Sequence, residues 1–199
     1  MNRPTGEAFR IAIVPGVTPD KWTRTWRQRV RTVPIEVLPV DESDQVAVLY
    51  DGRANMSFVR LPIDREGLHL IPMYRETPVV VVPADHPVAA YDEVDMADLA
   101  GEHLLGDPEV ARPLSPRQAV GTVAAGGGVL IVPQSVARQH HRKDVVHRPV
   151  TGVPDSQIGL AWRVEDDDAR IETFIGIVRG RTERSSRGND ADRRGRRRR

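Results

Sequence analysis

The sequence predicts an α/β fold from the order of its elements, and two further observations bound its core and its chemistry. Over residues 9–61, short aliphatic strands alternate with amphipathic stretches in the order β-α-β-α-β, which favours a parallel sheet with helices on its faces. Hydrophobic residues make up 39% of the 199 positions, enough for a real core, while aromatics are only 5%, so an aliphatic core is expected. Cysteine is absent, which excludes disulfides, thiolate metal sites and cysteine nucleophiles. The length suits one large domain or two small lobes.

Each element follows from a local signal. "FRIAIV" (9–14) is a short apolar strand, and "PGVTPD" a loop. Thr18, Pro19 and Asp20 read as a helix start: Thr18 as the cap, Pro19 at the first helical position, Asp20 in the first turn. The helix runs to about Arg31, with Trp22, Trp26 and Val30 on one face. "IEVLPV" (35–40) is the second strand. "DESDQVAVLYDG" is a second helix, capped by Ser43 or Asp44, with Val46, Leu49 and Tyr50 inward and Gly52 closing it. "NMSFVRL" (55–61) is the third strand.

Two β-rich runs, 68–74 and 78–83, follow, separated by charged Arg75 and Glu76. "MADLAG" is a short helix ended by Gly101, "EHLLGD" a brief strand, and "SPRQAVGTVAAGGG" a helix from Pro116 to about Ala125. "VLIVP" is a buried strand, "QSVARQHHRK" a helix, and "DVVHRPV" and "QIGLAWRV" two more strands. The last helix, "DARIETFIGIVRGRT", carries Ile171, Phe174, Ile175 and Val178 on one face.

Charge is unevenly spread. Residues 181–199 hold nine arginines against Glu183, Asp190 and Asp192, so that end carries +6 and the rest −5 of the net +1. Segment 183–199 has almost no apolar residue to bury and reads as a disordered tail. Neither an apolar leader nor a run of about 18 apolar residues is present, so a soluble, cytoplasmic protein with no membrane partner is expected.

In this order, "FRIAIVPGVTPD", "LYDGRANMSFVRLP", "GLHLIPMYRETPVVVVPADHPVA", "DLAGEHLL" and "VAAGGGVLIVPQSVA" resemble the effector-binding domain of LysR-type transcriptional regulators, over roughly Phe9 to Arg181. The resemblance implies a two-lobed fold similar to type 2 periplasmic binding proteins, with two crossover strands and a small effector between the lobes. Mapped here, lobe one is 8–74 with 149–182 and lobe two is 75–148, with crossovers near Tyr74–Thr77 and Val145–Pro149. Two departures stand out. The family's helix-turn-helix has no counterpart before Phe9. The segment from Leu105 to Val123 is shorter than the family pattern, which implies a reduced second lobe. The resemblance further implies a homodimer; no cofactor is expected.

Why a strand should leave the core on Arg60-Leu61-Pro62 then has an answer. Ligands of open α/β sheets bind beyond the carboxyl ends of strands, which would put Arg60 at the cleft edge as a fixed positive charge, with Pro62 stiffening the exit. The alternative is a surface arginine paired with Asp64 or Glu66. The loop "PGVTP" is the other candidate, because a helix start offers unpaired N–H groups and partial positive charge to carboxylates. Val17 and Thr18 would hold the acidic group of a small anionic effector, a carboxylate. Arg60 and Leu61 would line the wall, and Leu105 and Gly106 the opposing lobe. Glu42 stands where the family often has Ser or Thr; it would repel a carboxylate or select an amine or hydroxyl, and a solvated first-turn acid is the favoured reading.

Other motifs point away from chemistry. "GGG" (126–128) lacks the residues of a phosphate loop and reads as a helix terminus packed close to the next strand. His140 and His141, with His147, could suggest a metal, but the adjacent pair points about 100° apart on a helix and reads instead as a solvated basic face with Arg138, Arg142 and Lys143. "EDDD" (165–168) lacks calcium-loop spacing and reads as a turn. No nucleophile elbow, zinc-protease motif or triad order is present, so no enzyme is expected. The second reading is an interaction protein whose Arg193, Arg194, Arg196, Arg197, Arg198 and Arg199 contact nucleic acid without sequence preference; a merely solubilising end is the alternative.

Overall fold

The computed structural model describes residues 7–106 and 114–180. Two five-stranded sheets form the frame. The first contains β1 (Phe9–Ile13), β2 (Ile35–Pro39), β3 (Met56–Leu61), β4 (Leu68–Glu76) and β10 (Ser156–Arg163), in the order β2-β1-β3-β10-β4. The second contains β5 (Pro78–Pro83), β6 (Val94–Asp95), β7 (Leu104–Leu105), β8 (Val129–Pro133) and β9 (Val145–Thr151), in the order β6-β9-β5-β8-β7. The helices are α1 (Asp20–Arg29), α2 (Ala47–Tyr50), α3 (Pro116–Ala124), α4 (Gln134–Gln139) and α5 (Ala169–Val178).

The β-α-β-α-β start forms parallel pairs β1·β2 and β1·β3, while β10 returns antiparallel between β3 and β4. Strand membership also places the two passages between sheets. Arg75 and Glu76 still pair with Gln157 and Ser156 in the first sheet, so the first passage falls at Thr77. Pro149, Val150 and Thr151 still pair within the second sheet. The second passage is therefore Gly152–Asp155, later than the Val145–Pro149 read from the sequence.

The aliphatic core is realised in the second lobe, where α3 covers Val79, Val81 and Leu130 with Ala119, Val120 and Val123, and α4 adds Ala137. The first lobe departs from it. Phe9, Phe58 and Phe174, all three phenylalanines of the chain, converge with Trp26 in one core between α1, α5 and the sheet. Phe9 stacks on Trp26 at 4.7 Å and Trp22 on Phe58 at 4.8 Å. A low overall aromatic content says nothing about where the few rings collect.

Helix ends show which local signals hold. Ser115 and Gln118 form a reciprocal capping box at α3, and Asp168 accepts from Arg170 N–H at 2.9 Å to start α5. At α1 the cap position is Pro19, not Thr18; Thr18 is exposed and makes no cap hydrogen bond. Neither Ser43 nor Asp44 caps a second helix. Residues 42–44 form a 3-10 turn, and only Ala47–Tyr50 is α-helical. The cause is Gln45, whose side chain turns inward and bonds both backbone groups of Arg60 (Nε2 to O at 3.1 Å, N–H to Oε1 at 2.7 Å). β3 pairs with β1 only from Met56 to Phe58, so Gln45 stands in for the missing strand beside Arg60. Tyr50 faces out, not in: it is 48% exposed and donates to the Glu66 carbonyl at 2.6 Å. "MADL" is likewise a 3-10 turn, capped reciprocally by Asp95 and Asp98. Of the glycines after α3 only Gly128 packs closely against another segment, and that segment is the residue before β7 rather than the following strand: a Cβ there would lie 2.3 Å from the His103 carbonyl oxygen, whereas Gly126 has open space.

One buried group works against stability. Ser57 is fully buried, and its hydroxyl has no hydrogen-bond partner. It sits in register between Ala12 and Ala161. An unpaired buried hydroxyl carries a desolvation cost of about 1–3 kcal/mol. Ser57→Ala is therefore expected to leave the melting temperature unchanged or raise it by about 2–4 °C. A clear fall in calorimetry would show that the hydroxyl has a partner.

Candidate functional site

The residues with the most distinctive chemistry meet at the end of β3. Arg60 is 7% exposed, and its guanidinium is almost fully engaged. Nε donates to Glu76 Oε2 at 2.9 Å and Nη2 to the Pro15 carbonyl at 2.8 Å. Nη2 also reaches Glu76 Oε1 at 3.4 Å, and Nη1 donates to Glu42. The partners are thus Glu42 and Glu76, not Asp64 or Glu66, and the arginine is buried rather than free at a cleft edge. The Leu61–Pro62 peptide that follows is cis.

Glu76 ends β4 just where the chain leaves the first sheet, and its side chain is 3% exposed. Besides Arg60 it accepts from Ser156 Oγ at 3.0 Å and Ser135 Oγ at 2.5 Å. Burial alone would raise its pKa. Hydrogen bonds from Arg60 and Ser135, with the charge of Arg60 and the bond from Ser156, outweigh burial and hold the carboxyl below its ordinary value. Burial likewise works against the Arg60 charge, and bonding to Glu76 with the charges of Glu42 and Glu76 raises its pKa. Tyr74, two residues before Glu76, is pushed up by burial and then by the Glu76 charge. Glu42 differs from Glu76 in one respect: its side chain is 48% exposed.

The β1–α1 loop closes the other side. Gly16 N–H donates to Gln139 Oε1 at 2.5 Å, so this loop touches α4 of the second lobe. Val17 is buried in the first-lobe core, and its N–H goes to the Val14 carbonyl at 3.2 Å. Two donors expected for a ligand are therefore already used by the protein. Thr18 remains exposed beside them.

The predicted set is thus partly assembled. Glu42, Arg60 and the loop carrying Val17 and Thr18 come together. Leu61 packs into the cluster under α2, and Leu105 into the second-lobe core beside Leu130. Gly106 is exposed at the end of β7. Glu76, Ser135, Gln139 and Ser156 escaped the sequence reading. The one hint was an acid between two strand-like runs, which read as a separator. His140 lies just past the end of α4 and His141 beyond it, not on a helix as expected; burial and then Arg117 lower the His140 pKa. No group of three possible metal ligands occurs among the described residues. No helix among them is long and apolar enough to cross a membrane. The arginines 193–199 lie outside the described residues.

Two α/β lobes joined by two passages, with a polar junction at the ends of β3 and β4, give the two-lobed architecture of periplasmic-binding-protein-like folds. The chain belongs to the LysR substrate binding domain family, whose sequence model matches residues 3–119 and 114–183. Among curated relatives it is 32% identical over 124 residues to the HTH-type transcriptional regulator CatR of Pseudomonas putida (51% of this chain, 42% of that one). It is 24% identical over 195 residues to the Hca operon transcriptional activator HcaR of Escherichia coli (86% and 64%). The chain thus spans less than two thirds of either regulator. Among solved structures it resembles the BenM effector binding domain with its effector benzoate, at TM-score 0.73 and 21% identity, over 89% of this chain and 92% of that one. The reduced OxyR regulatory domain of Pseudomonas aeruginosa aligns at TM-score 0.69 and 21% identity, over 88% and 96%.

Proposed function

We propose that this chain is the cytoplasmic sensing module of a transcriptional regulator and that it binds a small anionic effector, a carboxylate, at the junction of Arg60 with the β1–α1 loop. The observation that carries this reading is the unequal hold of two acids on one guanidinium. Glu76 is buried and fixed by four hydrogen bonds, whereas Glu42 is half-exposed. An effector carboxylate gains Nη1 of Arg60 by displacing Glu42 and leaving Glu76 in place. Exposed Thr18 supplies a further hydroxyl donor. The BenM effector binding domain, solved with its effector benzoate, is consistent with a carboxylate. Pairing with a second copy, and a DNA-reading unit coupled to it, complete the regulator.

A second reading has its own observation. Two carboxylates against one guanidinium leave the junction net negative, so an amine or hydroxyl effector would be recognised by Glu42 itself. Glu42→Gln separates the two in isothermal titration against small carboxylates and amines. Removing the competitor should tighten a carboxylate about fivefold, the equivalent of ~1 kcal/mol for a half-exposed ion pair. Loss of amine binding in the variant would favour the second reading. If neither class bound the parent or the variant, both readings would fall.

A further inference from the structure

We propose that Glu76 is a latch that holds the two lobes closed with the protein's own groups, so that an effector enters by opening the junction. The latch regulates the junction assigned above to the effector and in that sense rests on that reading.

A carboxylate offers two oxygens and about four acceptor positions. At Glu76 four contacts fill them: Arg60 Nε and Nη2, Ser156 Oγ and Ser135 Oγ. The donors are divided between the lobes. Arg60 and Ser156 lie on strands of the first sheet, whereas Ser135 lies on α4 of the second lobe. One further bond, Gly16 N–H to Gln139, crosses beside it. Gly16 also shows how close the lobes stand. A Cβ there would lie 2.3 Å from Ser135 Oγ, and its φ of +90° belongs to glycine.

In the closed junction the acceptors of Glu76 are therefore filled from within the chain. Moving α4 away takes one donor from Glu76 and one acceptor from Gly16. The Arg60 pair stays intact, because both of its members travel with the first lobe. The hinge-side and mobile-side donors are chemically alike, two serines on one carboxylate, yet only Ser135 can report opening. Thr77 and Gly152–Asp155 are the segments left to absorb the rotation.

The absence of native cysteine makes the test clean. Cysteines placed at exposed Gln28 on α1 and exposed Glu93 before β6 carry spin labels, and electron–electron resonance reads the interlobe distance of the full chain without added effector. The parent should give one narrow distance. Ser135→Ala combined with Gln139→Ala should add a second, longer population, while its melting temperature stays within a few degrees of the parent. Ser156→Ala, which removes the equivalent bond on the hinge side, should keep the narrow distance. The proposal is overturned if the Ser135/Gln139 variant keeps the parent distribution, if Ser156→Ala opens the lobes equally, or if the parent is already broad. These outcomes do not depend on effector affinity, so failure of the latch and failure of the effector reading are told apart.

Discussion

Arg60→Met is expected to destabilise the protein by about 3–5 kcal/mol at neutral pH, the cost of leaving a buried charge without its partner. Glu76 would keep only the two serine hydroxyls, at 3% side-chain exposure. The pH dependence identifies the cause. In the parent, Glu76 is held below its ordinary pKa. Such a group contributes stability that is present above the unfolded carboxylate pKa of about 4.3, and the contribution is lost as pH falls through the lower folded value. In the variant burial is left to dominate, and the folded pKa moves above the unfolded one. Glu76 then destabilises as pH rises and becomes neutral as pH falls. The deficit between parent and variant should thus be widest near pH 7 and shrink toward pH 4. Urea unfolding at both pH values measures it, and a deficit that does not change with pH would contradict this account. Replacing both members, Arg60→Met with Glu76→Leu, should recover much of the loss, because no unpaired charge remains.

Phe174→Ala should cost a similar amount, about 3–5 kcal/mol, for a different reason. Phe174 is fully buried on α5, tilted against Phe9 at 5.7 Å and Trp26 at 6.0 Å, and edge-on to Phe58 at 6.3 Å. It is the ring through which α5 closes the first-lobe core. Truncation removes ring contacts and leaves a cavity among residues that cannot all shift, since Phe9 and Phe58 are fixed on strands. The second-lobe cores share no residue with this cluster. Native-state hydrogen exchange should therefore show faster exchange in β1, β3 and β10 and little change in β5 and β8. Equal loss in both sheets would mean that the lobes unfold as one unit.

The strands and most helix positions were legible because their signals are local. Apolar runs bounded by proline, glycine or charged residues marked β1, β5 and β8, and the spacing of Trp22 and Trp26 marked the buried face of α1. Where local signals competed, tertiary contacts decided. Thr18 looked like a cap, but Pro19 took the cap position. The second helix shrank to one turn because Gln45 was needed beside β3. Tyr50 turned outward because its hydroxyl reaches the Glu66 carbonyl.

The site divides in the same way. That Arg60 ends a strand follows from the sequence pattern; that the strand is central and lies near the β1–α1 loop was implied by the family resemblance, and the strand order β2-β1-β3-β10-β4 places it at the middle of the sheet. Which groups neutralise Arg60 does not follow from the pattern. Glu42 and Glu76 lie 18 and 16 residues away, and Ser135 is 59 residues from Glu76. The sequence by itself determined the α/β class and the strand runs, because hydrophobic periodicity, turn residues and element order are properties of neighbouring positions, while the two lobes were implied by the resemblance of the ordered motifs to a known family. Only the tertiary structure decided that the arginine is a buried, doubly paired group at the junction of the lobes, because hydrogen bonds close at about 3 Å, and that spacing is set by packing between segments far apart in the chain.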